Sequence, residues 1–176
     1  MRDAKPVTVL GIDPGTAVTG YGIIRKEGRN PLTLIECGVI RTRPRDDLSH
    51  RLAEIHDGVA ELIRRHQPTV LSIEDIFYAR NVRTTVVLGH ARGVILLAGV
   101  QAGLDIHEYP PAEIKKAVAG TGAATKLQIQ FMVTRLLRLK SAPQPADAAD
   151  GVAAALAYAL MPELPKLPKL EPVRFA

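Results

Sequence analysis

Val7 to Ile12 is an unbroken run of β-branched, large apolar and small residues, and Asp13-Pro14-Gly15 ends it. Such a run reads as a strand buried on both faces, which a chain satisfies only by covering a sheet on two sides. Thr19 to Ile24 resumes extended structure, and Leu32 to Ile40 makes a third strand. The connections around Pro14-Gly15 and Gly28-Arg29-Asn30-Pro31 are short enough for antiparallel hairpins. The period then changes. Leu48, Leu52, Ile55, Val59, Leu62 and Ile63 form the apolar stripe of an amphipathic helix that stops before Pro68. Val70–Ile73 is a short buried strand, a helix is predicted over 84–102, and Leu104–Tyr109 is a fifth strand closed by Pro110-Pro111. Three more helices are predicted over 112–118, 125–138 and 147–161. Strands alternating with helices give an α/β fold, with helices packed on a mixed sheet.

The chain has 176 residues, enough for one domain with a substantial core. Residues 1–161 are expected to form it, and the Pro- and Lys-containing segment 162–176 to be an extended, mobile tail. With Cys37 as its single cysteine the chain has no disulfide framework, and Cys37 itself reads as a small core residue. No signal-peptide pattern and no run of 18 apolar residues is present, so an intracellular protein without a membrane partner is expected.

The net charge of +5 is a weak pointer to an anionic partner, and its distribution is a stronger one. Between Phe77 and Leu104 stand Arg80, Arg83 and Arg92 with no acid. Between Ile114 and Ala146 stand Lys115, Lys116, Lys126, Arg135, Arg138 and Lys140, again with no acid. Residues 25–65, by contrast, mix nine basic with seven acidic groups. A basic helix is often only a solvated face. Two acid-free basic stretches flanking isolated carboxylates suit a polyanion, because phosphate contacts release counterions.

Those carboxylates end apolar elements. Asp13 follows the first strand, where Asp-Pro-Gly is also ordinary turn chemistry. Glu74 follows Val70-Leu71-Ser72-Ile73, and Glu has little turn propensity. If the two strands are parallel neighbours, both carboxylates reach one edge of the sheet, where open α/β sheets place ligands. Asp147 and Asp150 lie one helical turn apart at the start of the last helix, a position that also suits capping. Gathered in one pocket, four carboxylates repel each other unless hard divalent cations neutralise them. Two such ions clamp the attacking and leaving oxygens of a phosphodiester. The five histidines are scattered, and His50, His56 and His66 read as surface or packing residues of the first helix.

Leu10-Gly11-Ile12-Asp13-Pro14-Gly15 with Thr19-Gly20-Tyr21-Gly22, Ser72-Ile73-Glu74-Asp75-Ile76-Phe77, Gly89-His90-Ala91-Arg92-Gly93 and Ala146-Asp147-Ala148-Ala149-Asp150 resemble, in this order, the motifs of the bacterial RuvC family of Holliday-junction resolvases. The resemblance spans residues 7 to 160 and implies a ribonuclease-H-like fold with a five-stranded mixed sheet. It implies a cytoplasmic homodimer acting on nucleoid DNA, which nicks two strands of a four-way junction in recombination and repair. It further implies two Mg²⁺ ions per site, with Mn²⁺ able to substitute, and RuvA and RuvB as branch-migration partners. Asp13, Glu74, Asp147 and Asp150 fall on the family's catalytic, metal-binding acids. Phe77 falls on an aromatic that contacts bases near the junction, and Lys115 and Lys126 on basic residues that face DNA; Arg80 belongs to the same DNA-facing set. Asp75 stands where an amide or another acid is found, and Gly151 where alanine is usual. Gly89, Gly93 and Gly99 would permit close helix approach, at a dimer seam or against the sheet.

Two rivals remain at this point. Asp13-Pro14-Gly15-Thr16 also suits the phosphate loop of an actin-like phosphotransferase, for which the chain is too short, and Gly120 to Lys126 does not fit a P-loop. A non-catalytic junction-binding module, with the acids as caps and turns, is the second.

Overall fold

The computed structural model describes residues 6–28, 30–75 and 82–161. Phe77, Arg80 and the segment 162–176 lie outside the described residues. The strands are β1 (Val7–Asp13), β2 (Val18–Lys26), β3 (Thr33–Arg41), β4 (Val70–Glu74) and β5 (Asp105–Tyr109). The helices are α1 (Leu48–His66), α2 (Val82–Gln101), α3 (Pro111–Ala119), α4 (Lys126–Leu136) and α5 (Ala146–Leu160). The five strands lie in the order β3-β2-β1-β4-β5. The two hairpins are antiparallel, whereas β4 runs parallel to both β1 and β5, so the sheet is mixed as expected.

Successive strand residues face opposite sides, and the sequence uses both. Leu10, Ile12, Ile23, Leu71 and Ile73 pack with Ile55, Val59, Leu62, Ala91, Ile95 and Ala98 of α1 and α2. Val9, Ile24, Val70 and Tyr109 pack on the other side with α3, α4 and α5. The helix α1 ends with Gln67 in the left-handed region (φ 45°), immediately before Pro68. By length and mean hydropathy (1.2) alone, α2 would pass for a membrane-crossing helix. Arg83 and Arg92 interrupt it, and Ala91, Ile95, Ala98 and Gly99 are buried against the protein. Of its glycines only Gly99 packs closely, on Leu71; a side chain at Gly89 or Gly93 would meet open space.

The element α5 owes its position to missing side chains. Ten of its fifteen residues are buried, most of them alanine. It lies on a strip of β1 and β2 formed by Gly11, Gly20 and Gly22. A Cβ on Gly20 would overlap the Asp147 carbonyl, one on Gly11 the backbone of Gly151 and Ala155, and one on Gly151 the backbone of Tyr21. Helix and strands therefore meet backbone to backbone. Ser72 completes the contact from β4, its buried hydroxyl donating to the Ala154 carbonyl at 2.5 Å.

Candidate active site

Asp13 and Glu74 are brought together by register and parity. Ile12 pairs with Ile73 across the parallel β1–β4 ladder, so the next residue on each strand stands at the same sheet edge. Asp13 shares parity with Val9 and Gly11, and Glu74 with Val70 and Ser72, so both carboxylates project toward α5. The turn after Asp13 is held by Thr19, whose buried hydroxyl donates to the Gly15 carbonyl at 2.6 Å. The first turn of α5 lies beside this edge because Gly20, the register partner of Asp13, admits the Asp147 backbone.

Neither α5 acid caps the helix, although Asp147 does lie in its first turn, where a negative charge suits the helix dipole. Pro145 is the N-cap and supplies no side-chain cap, Asp147 lies in the first turn, and Asp150 one turn further on. Both instead meet the Lys126 ammonium, which stands 2.7 Å from Asp150 Oδ2 and 3.5 Å from Asp147 Oδ1. Lys126 is fixed by its own helix start. The Thr125 hydroxyl accepts from the Gln128 N–H at 3.3 Å, and the Gln128 side chain accepts from the Thr125 N–H at 2.8 Å, a reciprocal capping box.

These groups enclose a cleft of about 240 Å³, lined by Asp13, Glu74, Lys115, Lys126 and Asp150 on an apolar base that includes Ile114 and Ile129. Asp147 stands beside the cleft rather than in its wall, tied to it through Lys126. Burial, then the charges of Glu74 and Asp150, push the Asp13 carboxyl up to about 7, against the pull of Lys126. Burial and Asp150 raise Glu74 to about 7 as well, opposed by Lys115. Asp150 holds Lys126 above the usual lysine range. The cleft is therefore short of positive charge, and Lys126 already supplies part of it.

The donor set suits a hard divalent cation: carboxylate oxygens only, with no thiol or imidazole among the lining residues. Among the described residues, no three Asp, Glu, His or Cys side chains stand ready as a closed ligand set. Lys126 lies 2.7 Å from Oδ2 of Asp150, so one carboxylate oxygen at the cleft is already paired with a cation. The chemistry of the cleft fits the cation, and a lysine shares one of its carboxylates.

Away from the cleft, His66 lies at the end of α1, 3.0 Å from Glu36, which also accepts from Tyr21 at 2.8 Å and Arg65 at 3.0 Å. Cys37 is half-buried against the core. Sequence reasoning missed the contact of Lys126 with the acids, although a lysine at the first position of a helix with a capping-box start was visible. Arg92, read from the sequence as part of an acid-free basic stretch, is instead paired with Asp75 and Glu108 on the α2 side of the sheet.

Comparison with known proteins follows the same lines. The RuvC family model, crossover junction endodeoxyribonuclease RuvC, matches residues 9–158. The protein of that name from Halorhodospira halophila is 51% identical over 151 residues, covering 86% of this chain and 89% of the relative. Its namesake from Pelotomaculum thermopropionicum is 46% identical over 151 residues, covering 86% and 92%. The structure of Thermus thermophilus RuvC in complex with Holliday junction substrate superposes with a TM-score of 0.82 at 34% identity, covering 88% of this chain and 93% of that one. The yeast mitochondrial Holliday junction resolvase Ydc2 shares the fold, at a TM-score of 0.62 and 12% identity over 86% of this chain and 78% of that one. Matched from β1 to the last turns of α5, with its acids on the elements where its motifs put them, the chain belongs to the RuvC family of crossover junction endodeoxyribonucleases.

Proposed function

We propose that the cleft is the active site of a structure-specific endonuclease that resolves Holliday junctions by paired, metal-dependent nicking during recombination and repair. The observation that carries this is the convergence of Asp13, Glu74 and Asp150 around one cleft, in which burial and neighbouring carboxylates push Asp13 and Glu74 toward neutrality. Acids perturbed by burial and by a specific charged neighbour inside a cleft are what an active site requires.

Family membership implies a divalent metal. In our reading Asp13, Glu74, Asp147 and Asp150 are the catalytic acids and would hold two Mg²⁺ ions, with Mn²⁺ as substitute. When bound, these supply Lewis-acid activation of water and stabilise charge on the leaving oxygen. The chain's own residues position the reacting strand. Water adds to phosphorus, the P–O3′ bond breaks and the departing oxygen takes a proton, leaving a 3′-hydroxyl and a ligatable 5′-phosphate. Lys115 and Lys126 line the cleft as cations for the flanking phosphates. Phe77 and Arg80 complete the DNA-facing set in this reading.

A second protomer belongs to it too. The α2 helix exposes Val82, Val86, Leu97 and Val100, a run of apolar surface unusual for a free helix face. A homodimer sealed there places one cleft on each of two strands, matching the two-fold symmetry of a junction. The protein then acts in the bacterial cytoplasm beside RuvA and RuvB.

The test is cleavage of a synthetic four-way junction. Paired nicks that need Mg²⁺ or Mn²⁺, absent on a linear duplex of the same sequence, are expected. Junction binding without nicking in either metal would favour a non-catalytic binding module, and equal cutting of linear duplex would remove the junction specificity.

A further inference from the structure

Glu74 projects into the cleft from the last residue of β4, and among the described residues no side-chain hydrogen bond holds its carboxylate. Its position rests on the backbone that follows. That backbone turns its next side chain, Asp75, to the opposite face of the sheet, where α2 lies. There the Arg92 guanidinium stands 3.2 Å from Asp75 Oδ1 and bonds the Glu108 carboxylate of β5. The Asp75 N–H donates to the Tyr109 carbonyl at 2.8 Å, so β4 and β5 are paired to their ends. The Arg92 side chain is only 16% exposed, whereas its two acid partners are about half exposed. A largely buried guanidinium whose Nη2 meets two carboxylates, one on β5 and one just past the end of β4, ties the two strand ends together.

We propose that Arg92 is a positioning residue for the active site: from behind the sheet it clamps Asp75 and Glu108, and so fixes the strand end that aims Glu74. The inference rests on the proposed function of the cleft and adds a residue that never enters it. It also joins the helix assigned to the dimer seam to the cleft, because Arg92 and the exposed Val86 and Leu97 share α2.

The test uses the full chain, well below its melting temperature, with Mn²⁺ alone as the probe in calorimetry, followed by single-turnover nicking of a four-way junction. Outer-shell partners of metal ligands typically account for about 10–100-fold in affinity or activity. Arg92→Met is expected to weaken Mn²⁺ binding and slow nicking by about tenfold or more, with junction affinity in EDTA unchanged. Arg92→Lys, which keeps the charge on a shorter and more strongly hydrated head group, is expected to restore only part. Asp75→Asn is expected to lower Mn²⁺ affinity by itself and to add nothing further in the Arg92→Met background. Unchanged Mn²⁺ affinity in the single variants, or losses that multiply in the double variant, would overturn the assignment. If Arg92→Met fails to fold, Asp75→Asn alone decides, because it leaves the Arg92–Glu108 pair in place. Wild-type protein that binds no Mn²⁺ and nicks no junction would instead sink the functional reading, a separate outcome.

Discussion

Neutralising Asp13 should make the ion-free protein more stable while removing its activity. Asp13 ionises at about 7 instead of 3.8, chiefly through burial and then through Glu74 and Asp150. At roughly 1.4 kcal/mol per pH unit, that gap penalises the charged form by about 4 kcal/mol. The sign follows from linkage. A carboxyl whose folded pKa is raised contributes stability that is complete below the unfolded pKa, near 3.8, and lost as pH rises through about 7. The wild-type protein in EDTA therefore loses stability across this window, and Asp13→Asn, a neutral replacement of the same shape, does not lose this share. Local relaxation and water entry reduce the figure, so the variant should exceed wild type by about 2–4 kcal/mol at pH 8. The advantage should fall below half of that at pH 5, where the wild-type carboxyl is already protonated. Urea unfolding at the two pH values measures it, as does a melting temperature raised by roughly 5–10 °C at pH 8. Adding Mg²⁺ should reverse the order, since ligand binding stabilises only the protein that holds it. An Asp13→Asn protein no more stable than wild type at pH 8, or a gap that does not widen with pH, refutes the reasoning.

Three further outcomes follow from the same geometry. Lys126→Met removes the ammonium beside Asp150, so the Asp13 carboxyl, followed by carbon-detected NMR, should titrate above about 7; the salt slope of junction binding should also fall by about one, and no change in either removes Lys126 from the site. Gly20→Ala drives a methyl into the Asp147 carbonyl and should cost about 2–3 kcal/mol in urea unfolding, with nicking lost in the protein that still folds. Ser72→Ala gives up the bond to Ala154 and should cost about 1 kcal/mol, with nicking at 25 °C intact; a large loss of activity would mean that this hydroxyl serves the cleft.

The strands and helices were legible because their periods differ. The stripe from Leu48 to Ile63 predicts a helix that the structure extends over Leu48–His66, and the run to Ile12 is β1. Helix ends shifted by a residue or two, most clearly at α4, which stops at Leu136 before Arg138 enters the left-handed region (φ 53°). The pairing of Asp13 with Glu74 was legible once two apolar strands were seen to end on acids, and the β1–β4 register bears out the conditional step. Three things were not. Side-chain partnership across the fold leaves no mark in spacing, so the Lys126–Asp150 and Arg92–Asp75 contacts were invisible. The capping alternative for Asp147 failed because Pro145 occupies that position, which only backbone geometry reveals. Glycine is ambiguous in sequence: Gly11 and Gly20 admit a helix at backbone contact, while Gly89 and Gly93 face open space.

That glycine strip governs where the acids stand. Rotamers cannot retune a separation set by main-chain atoms, as at Gly20 and Gly151, where helix and strand meet through their backbones. The spacing between the first turns of α5 and the end of β1, and with it the placement of Asp150 beside Asp13, is thus fixed by main-chain packing rather than by the choice of side-chain conformers.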